Sequence, residues 1–124
     1  MKARKLFFKE CHLAGRKYHD ADEVWEDLRV GTLLRLERDL DNRFDPNAVA
    51  VLYDKPAGAA PASGEETYLL GYIPQGENGE MAQLLEMGWN EIFECRISKI
   101  DADAHYENQI RLTVRIKRNE RREK

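Results

Sequence analysis

Near the end of the chain Ile110, Leu112, Val114 and Ile116 alternate strictly with Arg111, Thr113, Arg115 and Lys117. A period of two sends successive side chains to opposite faces of a strand, so residues 109–117 predict a strand with one apolar and one basic face. Residues 92–100 predict another long strand before it. Leu34 and Leu36 alternate with Arg35 and Glu37, and Val49, Val51 and Tyr53 alternate with smaller residues, which predicts two shorter strands. Residues 5–13 mix aromatic, aliphatic and charged side chains without helical period, and Gly15 follows, so a first strand is expected to end near Leu13. Tyr68 to Ile73 predict a fourth strand in chain order, stopped by Pro74 and Gly76.

Only one segment reads clearly as a helix. Met81, Leu84, Leu85 and the more distal Met87 form an apolar stripe that ends at Gly88. Between Asp20 and Leu28, an acidic cap followed by Val24, Trp25 and Leu28 predicts a short turn or a single helical turn with its acids outward. Residues 54–67 are rich in Pro, Gly, Ala and Ser with almost nothing to bury, which predicts a flexible hairpin excursion. Six strands, one real helix and short connections point to a mainly β fold, a small antiparallel sheet that is curled or partly closed into a barrel.

Length and composition narrow the class. At 124 residues, with 42% hydrophobic and 35% charged side chains, the chain is expected to form one domain over 1–124 with one core. Its longest apolar runs, Leu6–Phe8 and Tyr68–Leu70, fall far short of the roughly 20 residues needed to span a bilayer, so no membrane partner is expected. The basic start is interrupted by Lys9, Glu10 and His12 before a secretory apolar core can form. A cytoplasmic location and reduced thiols at Cys11 and Cys95 are therefore expected.

Charge is polarised within a net −3. Residues 1–17 carry +5 and residues 111–124 carry +5, leaving −13 for the stretch between. One surface is thus suited to phosphate, although the acidic balance argues against unselective coating of DNA. The plain alternative for the basic tail, residues 118–124, is a solvated terminus.

Catalytic motifs are missing. There is no phosphate-cradling Gly-rich loop ending in Gly-Lys-Ser/Thr, no Gly-x-Ser-x-Gly and no His-Glu-x-x-His. Cys11, His12, His19, Cys95 and His105 lack the spacing of a metal site, and the carboxylates of residues 20–27 and 101–103 read as solvated turn acids. The expectation is a non-enzymatic protein with no metal and no cofactor.

One block stands out, Arg38-Asp39-Leu40-Asp41-Asn42-Arg43-Phe44-Asp45-Pro46-Asn47-Ala48-Val49-Ala50-Val51. Asn42 and Asp45 can bond backbone a residue or two ahead, and Pro46 fixes its own φ, so the block describes a rigid turn that launches a strand. A turn alone does not explain Phe44, an aromatic at a loop tip between Arg43 and Asp45. A ring beside a cation suits stacking on a nucleobase, and the adjacent carboxylate suits a sugar hydroxyl or base edge.

This block resembles the signature of the HIRAN domain, roughly Arg-Glu-Pro-x-Asn-Pro-Tyr-Asp-Pro-Asn-Ala-Val-Ala-Val. Upstream, Gly15-Arg16-Lys17-Tyr18 is similar to the family's Gly-x-x-Tyr turn, and downstream Leu70-Gly71-Tyr72-Ile73-Pro74 is similar to its Leu-Gly-Tyr-Ile/Val-Pro strand end. A helix with Ala82, Leu84 and Leu85 follows, and the resemblance runs over about residues 5–117. It implies an OB-like six-stranded barrel with one helix after the fourth strand. The family occurs at the front of fork-remodelling helicases and as stand-alone proteins.

In the fork-remodelling member the domain captures the 3′ end of single-stranded DNA. Carried onto this chain, that implies Lys17 and Tyr18 on a phosphate and a base, Phe44 stacking where the family usually has Tyr, and Asp45 accepting from the terminal hydroxyl. Arg16 and Asn42 belong to the same expected nucleic-acid-binding set. Tyr72 stands where the DNA-end-binding member has His, and Gln75 where it has Lys, which removes one phosphate contact and part of the salt-dependent affinity. Plainer roles stand beside these: Tyr18 packing beneath the acidic turn, Tyr72 closing the barrel end, and Asp45 capping its own turn for about 1 kcal/mol.

The leading expectation is a binding module for single-stranded DNA or a DNA end, in repair, replication or defence, with a helicase or nuclease as protein partner. The alternative is an interaction or regulatory adaptor that keeps the fold but not the DNA pocket.

Overall fold

The computed structural model describes residues 5–55 and 66–118. Six strands run in the order of the sequence pattern: β1 (Lys5–His12), β2 (Leu33–Arg38), β3 (Val49–Lys55), β4 (Glu66–Tyr72), β5 (Phe93–Ile100) and β6 (Ile110–Lys117). All pair antiparallel in one sheet with spatial order β1-β6-β5-β2-β3-β4. The fold is mainly β, as the alternation predicts.

The sheet curls because β2 serves two neighbours. Leu33 and Leu34 pair with Arg96 and Cys95 of β5, whereas Arg35 to Arg38 pair with β3. The two outer strands then approach each other without forming a ladder. Ala14, just past β1, and Tyr72, the last residue of β4, exchange N–H···O bonds of 2.8 and 2.9 Å in a single isolated bridge. The expected barrel is thus a curled sheet not closed into a barrel.

The inner face forms the core. Ile110, Leu112 and Val114 of β6 are almost wholly buried, as are Ile97, Val49, Val51 and Leu70 from the facing strands, with Leu13 and Ile73 just beyond strand ends. Each such side chain contributes about 1.5–3 kcal/mol by leaving water. Helix α1 (Gly79–Glu86) closes one side through Met81, Ala82 and Leu85. Its inward stripe differs from the sequence expectation: Ala82 points in, while Met87 lies past the helix and is 75% exposed.

Other expectations shift at their edges. The acidic stretch is an eight-residue 3₁₀ segment, Asp20–Asp27, kinked at Val24, with Ala21 and Val24 inward and the acids largely outward. The hairpin excursion is shorter at its base than residues 54–67, because Asp54 pairs with Thr67 and Lys55 with Glu66. Residues 56–65 of that excursion and 119–124 of the basic tail lie outside the described residues. A 3₁₀ turn at Tyr106–Asn108, between β5 and β6, was not signalled by the sequence pattern.

Candidate nucleic-acid interface

The segment after β1 makes a tight turn at Gly15, whose φ of +73° lies in the left-handed region that glycine adopts without cost. A 3₁₀ turn, Arg16–Tyr18, follows at once. The bridge at Ala14 ties the start of this turn to Tyr72. Gly71 permits the tie, since a Cβ there would sit 2.4 Å from the Ala14 carbonyl oxygen.

Within that turn the three side chains take different places. Arg16 is only 4% exposed; its guanidinium lies over Trp25 at 4.5 Å and Tyr106 at 5.1 Å, and Nη2 donates to Asp22 at 2.8 Å. It therefore ties three segments together instead of facing solvent. Lys17 and Tyr18 are exposed, Tyr18 by 78%, and the Lys17 ammonium lies 5.8 Å from the Tyr18 ring and 5.7 Å from Tyr106.

Tyr72 connects the turn to the block of residues 38–51. Its hydroxyl donates to Asp39 at 2.6 Å, and the His19 ring meets it edge-on at 5.4 Å. Burial, and after it the bond to Asp39, pushes the Tyr72 hydroxyl above the ordinary phenol range, so it stays protonated as a donor. Beyond Asp39, Asn42 Oδ1 accepts from the N–H groups of Phe44 (2.8 Å) and Asp45 (3.0 Å). This is the side-chain turn that Asn is suited to make.

Phe44 sits on that fixed backbone with its ring 90% exposed. Asp45 is held from both sides: one carboxylate oxygen accepts from Asn47 N–H at 2.9 Å, the other from the Asn78 amide at 2.8 Å. Asn78 is buried and stands at the start of α1, but its side chain makes no bond to the helix. An Asn there ordinarily caps the helix; this one is used on Asp45 instead. Gln75 is exposed on the turn after Pro74.

The structure therefore links Lys17–Tyr18, Tyr72 and the Asn42–Asp45 loop through one series of backbone and side-chain bonds, with Gln75 three residues beyond Tyr72. Arg16 lies beneath this rim. Asp39, Asn78, His19 and Tyr106 join it without having been singled out from sequence as binding residues. Asp39 and His19 were visible within or beside the motifs, but nothing local marks Asn78 or Tyr106 as neighbours of the rim.

The cysteines lie elsewhere. Cys11 and Cys95 are buried, and burial raises the Cys11 thiol to about 11 and the Cys95 thiol further. Among the described residues no three His, Cys, Asp or Glu side chains converge as metal ligands would. No helix among them is long and apolar enough to cross a membrane.

A curled sheet of six antiparallel strands with one helix after the fourth, carrying exposed rings and a cation on a hydrogen-bonded rim, defines an OB-like β module. Residues 6–117 match the HIRAN domain model, and the chain belongs to the HIRAN domain family. Two solved structures are similar. One is a protein from Lactobacillus plantarum, a structural genomics target, with TM-score 0.65 and 22% identity, covering 92% of this chain and 97% of that one. The other is the HIRAN domain of human HLTF, with TM-score 0.57 and 16% identity, covering 98% of this chain and 85% of that one. At these identities the likeness speaks for the fold. No curated protein sequence matches this chain.

Proposed function

We propose that this protein is a nucleic-acid-binding module that takes a single strand of DNA, by its 3′ end, at the rim formed by Lys17, Tyr18, Asn42, Phe44, Asp45 and Tyr72. The observation that carries the reading is the display of two aromatic rings, 78% and 90% exposed, on backbone fixed by a glycine turn and by Asn42. Neither ring contributes much to the core, so their placement suits stacking on bases, worth about 1–3 kcal/mol per base. Lys17 supplies a phosphate contact beside Tyr18, and Asp45 offers oriented acceptor oxygens for a terminal hydroxyl. Family membership supports the same reading.

The test is fluorescence anisotropy with short oligonucleotides ending in a 3′-hydroxyl or a 3′-phosphate. The expected result is tighter binding of the hydroxyl end, and a loss of about tenfold or more in a Tyr18→Ala, Phe44→Ala variant whose melting is nearly unchanged. Flat titrations with both oligonucleotides would reject the reading, and would leave a protein ligand as the occupant of the rim.

A further inference from the structure

The basic face predicted for the last strand is real, and it is wider than one strand. With Ile110, Leu112 and Val114 turned into the core, Arg111, Thr113, Arg115 and Lys117 face outward from β6. Directly opposite them stand Lys99, Arg96 and Glu94 on β5, and His12, Glu10, Phe7 and Lys5 on β1. Three strands thus present six cations against Glu10 and Glu94, in a chain whose net charge is −3.

Both carboxylates are already engaged. Glu94 accepts from Lys5 at 2.9 Å and Arg96 at 3.1 Å, and Glu10 pairs with Arg111 at 3.3 Å. Lys99, Arg115 and Lys117 are exposed and have no carboxylate partner among the described residues. Moreover, Lys5 lies directly across from Lys117, and Lys99 across from Arg111. Like charges in that relation disfavour a sheet, and Glu94 and Glu10 compensate only Lys5 and Arg111, which leaves Lys117 and Lys99 of the two pairs without a counter-charge among the described residues. Phe7, opposite Arg115, is 66% exposed on the same face.

We propose that this outer face of β1, β6 and β5 is a second nucleic-acid contact surface, which holds the phosphodiester backbone of DNA leading to or from the rim. Charge complementarity selects the occupant: a polyanion relieves both like-charge pairs and meets the three unpaired cations. From Arg111 to Lys117 the face is about 20 Å long, the length of roughly six base pairs or a short run of single strand. One end of it adjoins the rim, because Leu13 N–H donates to the Ile110 carbonyl immediately before Ala14 and its bridge to Tyr72. The inference relies on the proposed rim function only for the path that the DNA follows.

The test is a Lys99→Glu, Arg115→Gln, Lys117→Glu variant, titrated with a trinucleotide, a longer single strand and a duplex carrying a 3′ overhang, each over a range of salt. The trinucleotide should bind as it does to the unaltered protein. For the longer ligands affinity should fall at least about tenfold, and the slope of log K against log salt should flatten by about 2 for the single strand and nearer 3 for the duplex. Whichever longer ligand loses more identifies the form of DNA on this face. Thermal stability should hold or rise, because two like-charge pairs are removed, so reduced binding cannot be assigned to unfolding. Unchanged affinity and slope for both longer ligands would overturn the proposal and leave the rim reading intact. A protein that ignores the trinucleotide but loses duplex binding in the variant would uphold this face and overturn the rim.

Discussion

Gly71→Ala is the single methyl that tests how the rim is assembled. The added Cβ would stand 2.4 Å from the Ala14 carbonyl oxygen and 3.0 Å from two carbons of Leu13, a residue 1% exposed. Backbone cannot yield there without opening the bridge, whose two hydrogen bonds measure 2.8 and 2.9 Å. Losing both costs about 1–3 kcal/mol, and crowding a packed interior adds about 1–3 kcal/mol, so a total of about 2–6 kcal/mol is expected. Urea denaturation would measure it as a shift in midpoint at constant slope. Amide exchange would locate it, with Ala14 and Tyr72 losing protection ahead of the β5–β6 ladder. Because the bridge fixes the Lys17–Tyr18 turn beside Tyr72, DNA affinity should fall even where the variant is fully folded. A stability change below about 0.5 kcal/mol, with the Tyr72 amide still protected, would refute this account of the outer strands.

Three further outcomes follow from single interactions. Asn42→Ala removes the acceptor shared by the Phe44 and Asp45 amides and should cost about 1 kcal/mol in denaturant titration, together with weaker DNA binding as the ring is released. Asp54 is held below the usual carboxylate range, chiefly by the hydrogen bond from Arg35, and Glu94 likewise by Lys5. A carboxylate lowered by folding contributes stability that is full above its unfolded pKa and is lost as pH falls through the folded value, so stability should decline below about pH 4. Asp54→Asn should flatten that decline in a pH series of urea melts. Cys11 and Cys95, buried with raised thiol pKa values, should resist iodoacetamide at pH 8 in the native state and react after unfolding, as mass spectrometry would read.

Strand positions were legible because one-sided burial writes a period of two into the chain, most plainly at Ile110 to Lys117. The rim loop was legible because Asn42, Asp45 and Pro46 act on backbone within a few residues. Contacts made across the sheet were not. Arg16 reads in sequence as a cation available to phosphate, yet Trp25 and Tyr106, nine and ninety residues away, enclose it. Likewise Asn78 reads as a helix cap, and only the fold brings Asp45 within reach of its amide. The strand order, with the last strand placed between the first and the fifth, depends on which apolar faces meet and on no local signal.

The central claim is that exposed Lys17, Tyr18 and Phe44 form one surface with Tyr72 and Asp45 for a DNA terminus. Its most direct test is a ¹H–¹⁵N titration of the protein with a short 3′-hydroxyl oligonucleotide. The account predicts shifts at Lys17, Tyr18, Asn42 to Asp45 and Tyr72, reduced when the end is phosphorylated. Shifts confined to other surfaces, or none at saturating oligonucleotide, would contradict it.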